Sequence, residues 1–265
     1  MLGKLIKNEF KATARTFGLM YLIVLIAAVA LKVFMEIQEA FHLENSIIDI
    51  LGVLTVTVFV LGIIGIIFGT FILILKRFYD SMLKSEGYLS FTLPVTVGQH
   101  IASKSIVSYI WILLSGVFIF AMIMLLFLGD TSVFVSLGQE LKEMIELVNQ
   151  HHLWKYVIEV IAVLAVSAYS YIAIGYACFS VGQAWSRSKV AGAFATYIVF
   201  SIITQIVSTI GMLVLFGGLD TVNQINMGDA FFEPLMIFVI VQEIVFAVIY
   251  TVLTYVMLSR KLNLE

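Results

Sequence analysis

Long apolar runs alternate along the chain with short polar segments, and six of the runs are long enough to be membrane helices. They lie at roughly 17–35, 50–75, 106–128, 157–181, 190–216 and 235–258. A hydrocarbon core about 30 Å thick needs about 20 apolar residues of helix at 1.5 Å per residue, and each run meets that demand with almost no charge. The pattern predicts a single all-α membrane domain over residues 1–265, crossing the bilayer six times. Composition supports it: 62% hydrophobic and 12% charged residues, with a mean hydropathy of +1.08, leave more apolar surface than a water-soluble fold covers.

Charge adds an orientation. Lys4, Lys7, Lys11 and Arg15 precede the first run; Lys76, Arg77, Lys84 and Lys104 lie between the second and third; Arg187, Lys189, Arg260 and Lys261 complete the same side. These are twelve of the 15 basic residues, whereas only Lys32, Lys142 and Lys155 fall on the other side with most of the acids. Short loops rich in Lys and Arg stay cytoplasmic, so both termini are expected there, in a bacterial plasma membrane. The net charge of −2 averages two oppositely charged faces and points to no nucleic-acid partner. Ala28-Val29-Ala30 has the small-residue spacing of a signal-peptidase site, but the patterned segment before it predicts a retained span.

Two segments on the basic side are patterned beyond what a connection requires. In residues 1–16, Leu2, Leu5, Ile6 and Phe10 share one helical face beside a basic stripe of Lys4, Lys7, Lys11 and Arg15. This predicts an interfacial helix on the inner leaflet, serving as a topology anchor or as a docking surface. Residues 76–105 form the second segment. A helical start over Arg77 to Lys84 leads to Glu86-Gly87, then to an apolar patch of Tyr88, Leu89, Phe91 and Leu93 that Pro94 ends. Thr96 with Gln99 three residues later has the form of a capping box opening a helix through Lys104 into the third span.

Several functions are disfavoured by the motifs. No phosphate loop, H-E-x-x-H zinc motif or G-x-S-x-G elbow occurs. His151 and His152 are adjacent, so on a helix they diverge by about 100° and read as interfacial polar residues rather than a metal pair. Cys178, the single cysteine, reads as a small packing residue. No catalytic, cofactor-binding or metal-ligating set is expected, and an intramembrane enzyme is disfavoured because no His, Glu or Asp residues converge within the spans.

With those residues in hand, the chain resembles the permease subunits of type-2 ABC exporters, particularly the small six-span permeases of Gram-positive bacteria. The resemblance is carried by Glu86-Gly87-Tyr88-Leu89, by Thr92-Leu93-Pro94-Val95-Thr96 and Lys104, and by the opening LGKLIKNEFKATAR. It implies that Glu86 to Pro94 is a cytoplasmic coupling helix seated in a separate ATPase subunit, which would carry ATP and Mg and perform the hydrolysis. It also implies that the N-terminal helix lies beside the coupling helix, that a second permease copy or paralogue completes the transporter, and that an amphiphile, peptide or lipid-like cargo is exported. Without an ATPase partner, the alternative is a non-transporting membrane subunit or a channel.

Few residues inside the spans carry information. Gly65 and Gly69 form a G-x-x-x-G, with Gly62 one turn earlier, which predicts a close helix–helix approach; Ala191, Gly192 and Ala195 predict another, within or between subunits. Glu243, with Gln242 beside it in the last span, and Glu159 near the outer end of the fourth are ionisable groups that hydrocarbon does not solvate. Glu243 is expected either in a substrate path or gate, or in a hydrogen bond to a neighbouring helix; Glu159 either has such a role or reaches the interface. Of the outer segments, 129–156 carries Leu137, Leu141, Met144, Ile145 and Val148 at helical spacing, and 217–234 has the mixed pattern of a short re-entrant or interfacial element.

Overall fold

The computed structural model describes residues 2–41, 46–92, 94–129, 131–185, 188–217 and 229–260. The elements among them are α-helices: α1 (Leu2–Phe41), α2 (Ser46–Met82), α3 (Ser85–Thr92), α4 (Val97–Leu126), α5 (Thr131–Gln150), α6 (Trp154–Gly182), α7 (Lys189–Phe216) and α8 (Asp229–Arg260). Six of them, all but α3 and α5, are long and apolar enough to cross a membrane, and the chain is a multi-pass membrane protein. Their outer surfaces agree. Ile23, Ile26, Leu61, Phe68, Phe194 and Val214 are exposed on these helices, where lipid rather than water is the fitting solvent.

The helices overrun the apolar stretches. α1 has 40 residues, about 60 Å at 1.5 Å per residue, so the N-terminal amphipathic segment and the first span form one uninterrupted helix. Lys4, Lys7, Lys11 and Arg15 are exposed along it, while Leu2, Leu5, Ile6 and Phe10 are half-buried. α2 likewise continues past residue 75 to Met82 because Phe78 and Met82 are fully buried there. The helical start expected at Arg77 is thus the end of the second span.

The chain divides into two compact units, one comprising Gly3–Ile74 with Ile106–Ile145 and the other built from Leu75–Ser105 and Glu146–Glu265. In the first, the Trp111 ring of α4 lies between two aromatic rings of α1, with centroids 4.7 Å from Phe10 and 4.2 Å from Phe17, both nearly parallel. Further along, the Ser115 hydroxyl is shared by Tyr21 of α1 at 2.7 Å and Thr70 of α2 at 2.8 Å, so one small side chain joins three helices. Ala28 and Leu31 of α1, Phe59 of α2 and Met122 of α4 form the core beyond it.

Only part of the predicted glycine face is used. A Cβ at Gly62 would stand 3.3 Å from Val24, and one at Gly69 would stand 2.8 Å from the Met20 sulfur, but Gly65 faces open space. The approach of α1 and α2 therefore follows a seven-residue spacing, Gly62 to Gly69, with the fully buried Ile66 between them. The G-x-x-x-G pair does not define it.

In the second unit α6 packs against both α8 and α7. Ala173 and Ala177, one turn apart on α6, admit the Tyr250 ring of α8. α6 and α7 approach more closely: Gly182 ends α6, and a Cβ there would fall on the backbone of Ala193, while one at Gly192 would stand 2.6 Å from the Gly182 carbonyl oxygen. The contact predicted around Gly192 is thus made within the chain. Ser188 caps α7 by accepting from the Ala191 N–H, and Gly217 ends that helix in the left-handed conformation (φ 64°).

Outside the spans, α5 forms where the amphipathic pattern predicts it, with Leu141, Met144 and Ile145 exposed. His151 and His152 make the turn into α6, where His152 takes a left-handed φ of 53°. Of the segment 217–234, residues 218–228 lie outside the described residues, and α8 already begins at Asp229. Pro234 sits inside α8, costing it one backbone hydrogen bond rather than setting its start.

Candidate functional site

The segment between α2 and α4 is built from both ends. α2 closes with Lys84 paired to Asp80 at 2.8 Å and lying over the Tyr79 ring. α4 opens with a reciprocal capping box: the Thr96 N–H donates to Gln99 Oε1 at 3.2 Å, and the Gln99 N–H donates to Thr96 Oγ1 at 3.3 Å. Two of the N–H donors at the helix start are satisfied in this way, as the sequence pattern predicts. Between these ends stands α3, tied back to α2 by Arg77 and Glu86 at 3.0 Å. Gly87 is buried on its inner side, whereas Glu86, Tyr88 and Pro94 face outward, Tyr88 being 58% exposed. Leu93 lies outside the described residues, as do the side chains of Leu89 and Phe91.

The base beneath α3 is rigidly packed. Phe78 stacks on Tyr176 of α6 with centroids 4.0 Å apart, and Tyr79 meets Phe179 at 5.3 Å. Leu75 fills the notch above Gly175 of the same helix. At the start of α4, Gly98, Ile101 and Ala102 line a cavity of about 290 Å³ with Tyr169 of α6 and Thr251, Val252 and Tyr255 of α8. Of the elements that flank α3, α2 thus packs on α6, and the start of α4 borders a cavity shared with α6 and α8.

Those two helices, with α7, enclose a second cavity, of about 190 Å³. Each helix contributes one face at helical spacing: Ser170, Tyr171 and Ile174 from α6; Tyr197, Ser201, Thr204 and Gln205 from α7; Glu243, Phe246 and Tyr250 from α8. The Thr204 and Tyr250 hydroxyls are 2.9 Å apart. Glu243 is a lone carboxylate near the middle of a membrane-spanning helix. Among the described residues it has no hydrogen bond or ion pair, and no Lys, Arg or His lines the cavity.

The hydrogen bond to a neighbouring helix, one of the two roles expected of Glu243, is made instead by Gln242, whose Nε2 donates to Ser208 of α7 at 2.7 Å. Glu159 is half-buried in α6 with one carboxylate oxygen enclosed and without a hydrogen bond; it does not line the Glu243 cavity. Lys155, one turn before it, pairs with Glu233 of α8.

Sequence reasoning missed the polar face of α7. Tyr197, Ser201, Thr204, Gln205 and Ser208 recur at i, i+4, i+7, i+8 and i+11, a stripe visible in an otherwise apolar span once helical register is counted. No group of three or more His, Cys, Asp or Glu residues among the described residues is placed to hold a metal ion. Comparison of the chain with family profiles, curated proteins and solved structures gives no match.

Proposed function

We propose that this chain is the membrane-spanning subunit of an ATP-driven exporter of the type-2 ABC class, in which a separate cytosolic ATPase grips α3 and a second permease copy or relative completes the transporter. The observation that carries the reading is the way α3 is held. A short helix presents an acid and an aromatic ring outward, Glu86 and Tyr88, while α2 before it packs through Phe78–Tyr176 onto α6 and the start of α4 after it lines a cavity with α6 and α8. A short surface helix set beside a well-packed base suits the transmission of a push. Those same two helices carry the acid-bearing cavity, so movement of α3 would reach the place where a cargo could be held.

In this reading the basic ends of the helices face the cytoplasm, and α1 brings its Lys4, Lys7, Lys11 and Arg15 stripe to the inner headgroups. ATP and Mg belong to the partner, and this chain contributes no catalytic group. Closure of the ATPases on α3 would drive alternating access or lateral expulsion of an amphiphile.

The test is capture of the tagged chain from its native membranes. It should bring down a protein bearing a G-x-x-x-x-G-K-[ST] phosphate loop, and the captured material should hydrolyse ATP. Tyr88→Ala removes an exposed anchor of the kind that typically contributes about 2 kcal/mol, a roughly thirtyfold loss of affinity, and Glu86→Lys reverses a charge at the same contact. Both should strip the ATPase while membrane abundance stays near that of the parent. If no ATPase is captured with the parent chain, or both variants keep it, the non-transporting subunit or channel becomes the better account.

A further inference from the structure

We infer that the cavity around Glu243 binds the ammonium head group of a cationic amphiphile. What the cavity lacks is positive charge. A carboxylate at this depth is costly in hydrocarbon unless something neutralises it, yet no hydrogen bond, ion pair or basic side chain within the described residues answers Glu243. The remaining walls decide what kind of cation fits. Tyr171, Tyr197, Phe246 and Tyr250, from three helices, line the same cavity as this carboxylate, and aromatic ring faces attract a weakly hydrated organic cation. A divalent metal is poorly served, because one carboxylate falls short of the several oxygen ligands that Ca²⁺ or Mg²⁺ requires.

Size and access narrow the ligand further. At about 190 Å³ the cavity is smaller than the roughly 300–1,000 Å³ typical of sites enclosing a whole drug-sized molecule, so it suits a head group whose tail stays outside. Tyr171 and Tyr197 are exposed, and so are the neighbouring large apolar residues Phe194, Ile198 and Ile202 on α7. A head group could therefore enter from the lipid side, between α6 and α7, with its tail along the outside of α7. The Thr204 hydroxyl holds that of Tyr250, which keeps this ring in place at the inner wall.

As a statement about cargo the inference rests on the export reading above, but binding is measured on this chain alone, without ATP or partner, so either can fail without the other. The chain, purified in neutral maltoside micelles, is titrated with hexyltrimethylammonium and, in parallel, with hexyl sulfate. The ammonium should bind saturably at one site and the sulfate should not. Glu243→Gln, which keeps the shape and removes the charge, should weaken binding at least tenfold, and Glu243→Asp should restore part of it. Tyr171→Leu changes an exposed ring that the fold does not depend on and should weaken binding about threefold. Absence of saturable ammonium binding by the parent, or equal binding of the sulfate, overturns the inference. So does parental affinity in Glu243→Gln; if that variant does not fold, parental affinity in both Tyr171→Leu and Tyr197→Leu does the same.

Discussion

The indole N–H of Trp111 donates to the Thr13 hydroxyl at 2.8 Å, and Thr13 in turn donates to the Glu9 carbonyl one turn back at 2.9 Å. The bond fixes the angle of an indole that also stacks between Phe10 and Phe17. It joins the segment before the first apolar run of α1 to α4. Phe10, which the sequence pattern assigns to a lipid-facing stripe, therefore has a protein ring against it.

Removing the ring should cost far more than removing the bond. Trp111→Ala deletes a 5% exposed side chain and both stacked contacts, a change of the class that costs about 3–5 kcal/mol in well-packed cores. Thr13→Val removes one interhelical hydrogen bond, for which measured values in membrane bundles average about 0.6 kcal/mol. Thermal unfolding of the purified chain should show a large fall in midpoint for the first variant and a small one for the second. Similar losses in both would mean that the indole is held by its hydrogen bond rather than by packing.

The glycines make a sharper contrast, because their surroundings differ while their chemistry does not. Gly182→Ala would push a methyl group into the backbone of Ala193, and helix backbone cannot give way as a flexible side chain does. Gly65→Ala places the same methyl in open space. The expected result is poor accumulation or early unfolding for Gly182→Ala and parental behaviour for Gly65→Ala. Equal tolerance of both would show that α6 and α7 do not meet as closely as described.

The six spans are legible in the sequence because hydrocarbon imposes a length and an apolarity that few other environments ask for, and the capping box at Thr96 is legible because its chemistry is local. Where the helices end was less so. α2 runs on to Met82 because Phe78 and Met82 find partners in the folded chain, and burial by tertiary contact leaves no mark on hydropathy. Gly62 and Gly69 serve the α1–α2 approach while Gly65 does not, for the same reason: the rotation of a helix about its axis depends on its neighbours. Glu243 stood out as an acid in an apolar run. Its aromatic and hydroxyl surroundings come from three helices spread over residues 170–250, and no single stretch displays them together.

Orientation yields to labelling. Cys178 is 4% exposed and should stay unreactive toward a membrane-impermeant maleimide in intact cells, so single cysteines can be introduced into the natural chain. Residues 85 and 188 should be protected in intact cells and labelled once the membrane is opened, whereas residue 139 should label from outside. These expectations follow from the placement of the basic residues. Labelling of residue 85 from outside would reverse the assignment and remove α3 from reach of any cytosolic partner.

Docking and transmission can be separated at Phe78. This ring is fully buried and stacks on Tyr176 at 4.0 Å, so it lies beneath the surface that an ATPase would touch. If α3 is a handle and the Phe78–Tyr176 stack is the link to α6, trimming the link should leave the handle available. Phe78→Leu keeps an apolar side chain but is smaller than the ring it replaces; it should cost less than the about 3–5 kcal/mol of a Phe→Ala truncation, so the chain should still insert and fold. The ATPase should then copurify as with the parent, because Glu86 and Tyr88 are unchanged. Export, and the stimulation of ATP hydrolysis by cargo, should fall severalfold, because a flexible leucine cannot hold the register that two stacked rings hold. Tyr88→Ala should give the opposite division, with loss of copurification and an intact base. Were Phe78→Leu to export at the parental rate, the push would have to travel another way, and the start of α4 at Gly98 and Ile101, which lines a cavity with Tyr255 of α8, would be the next place to alter.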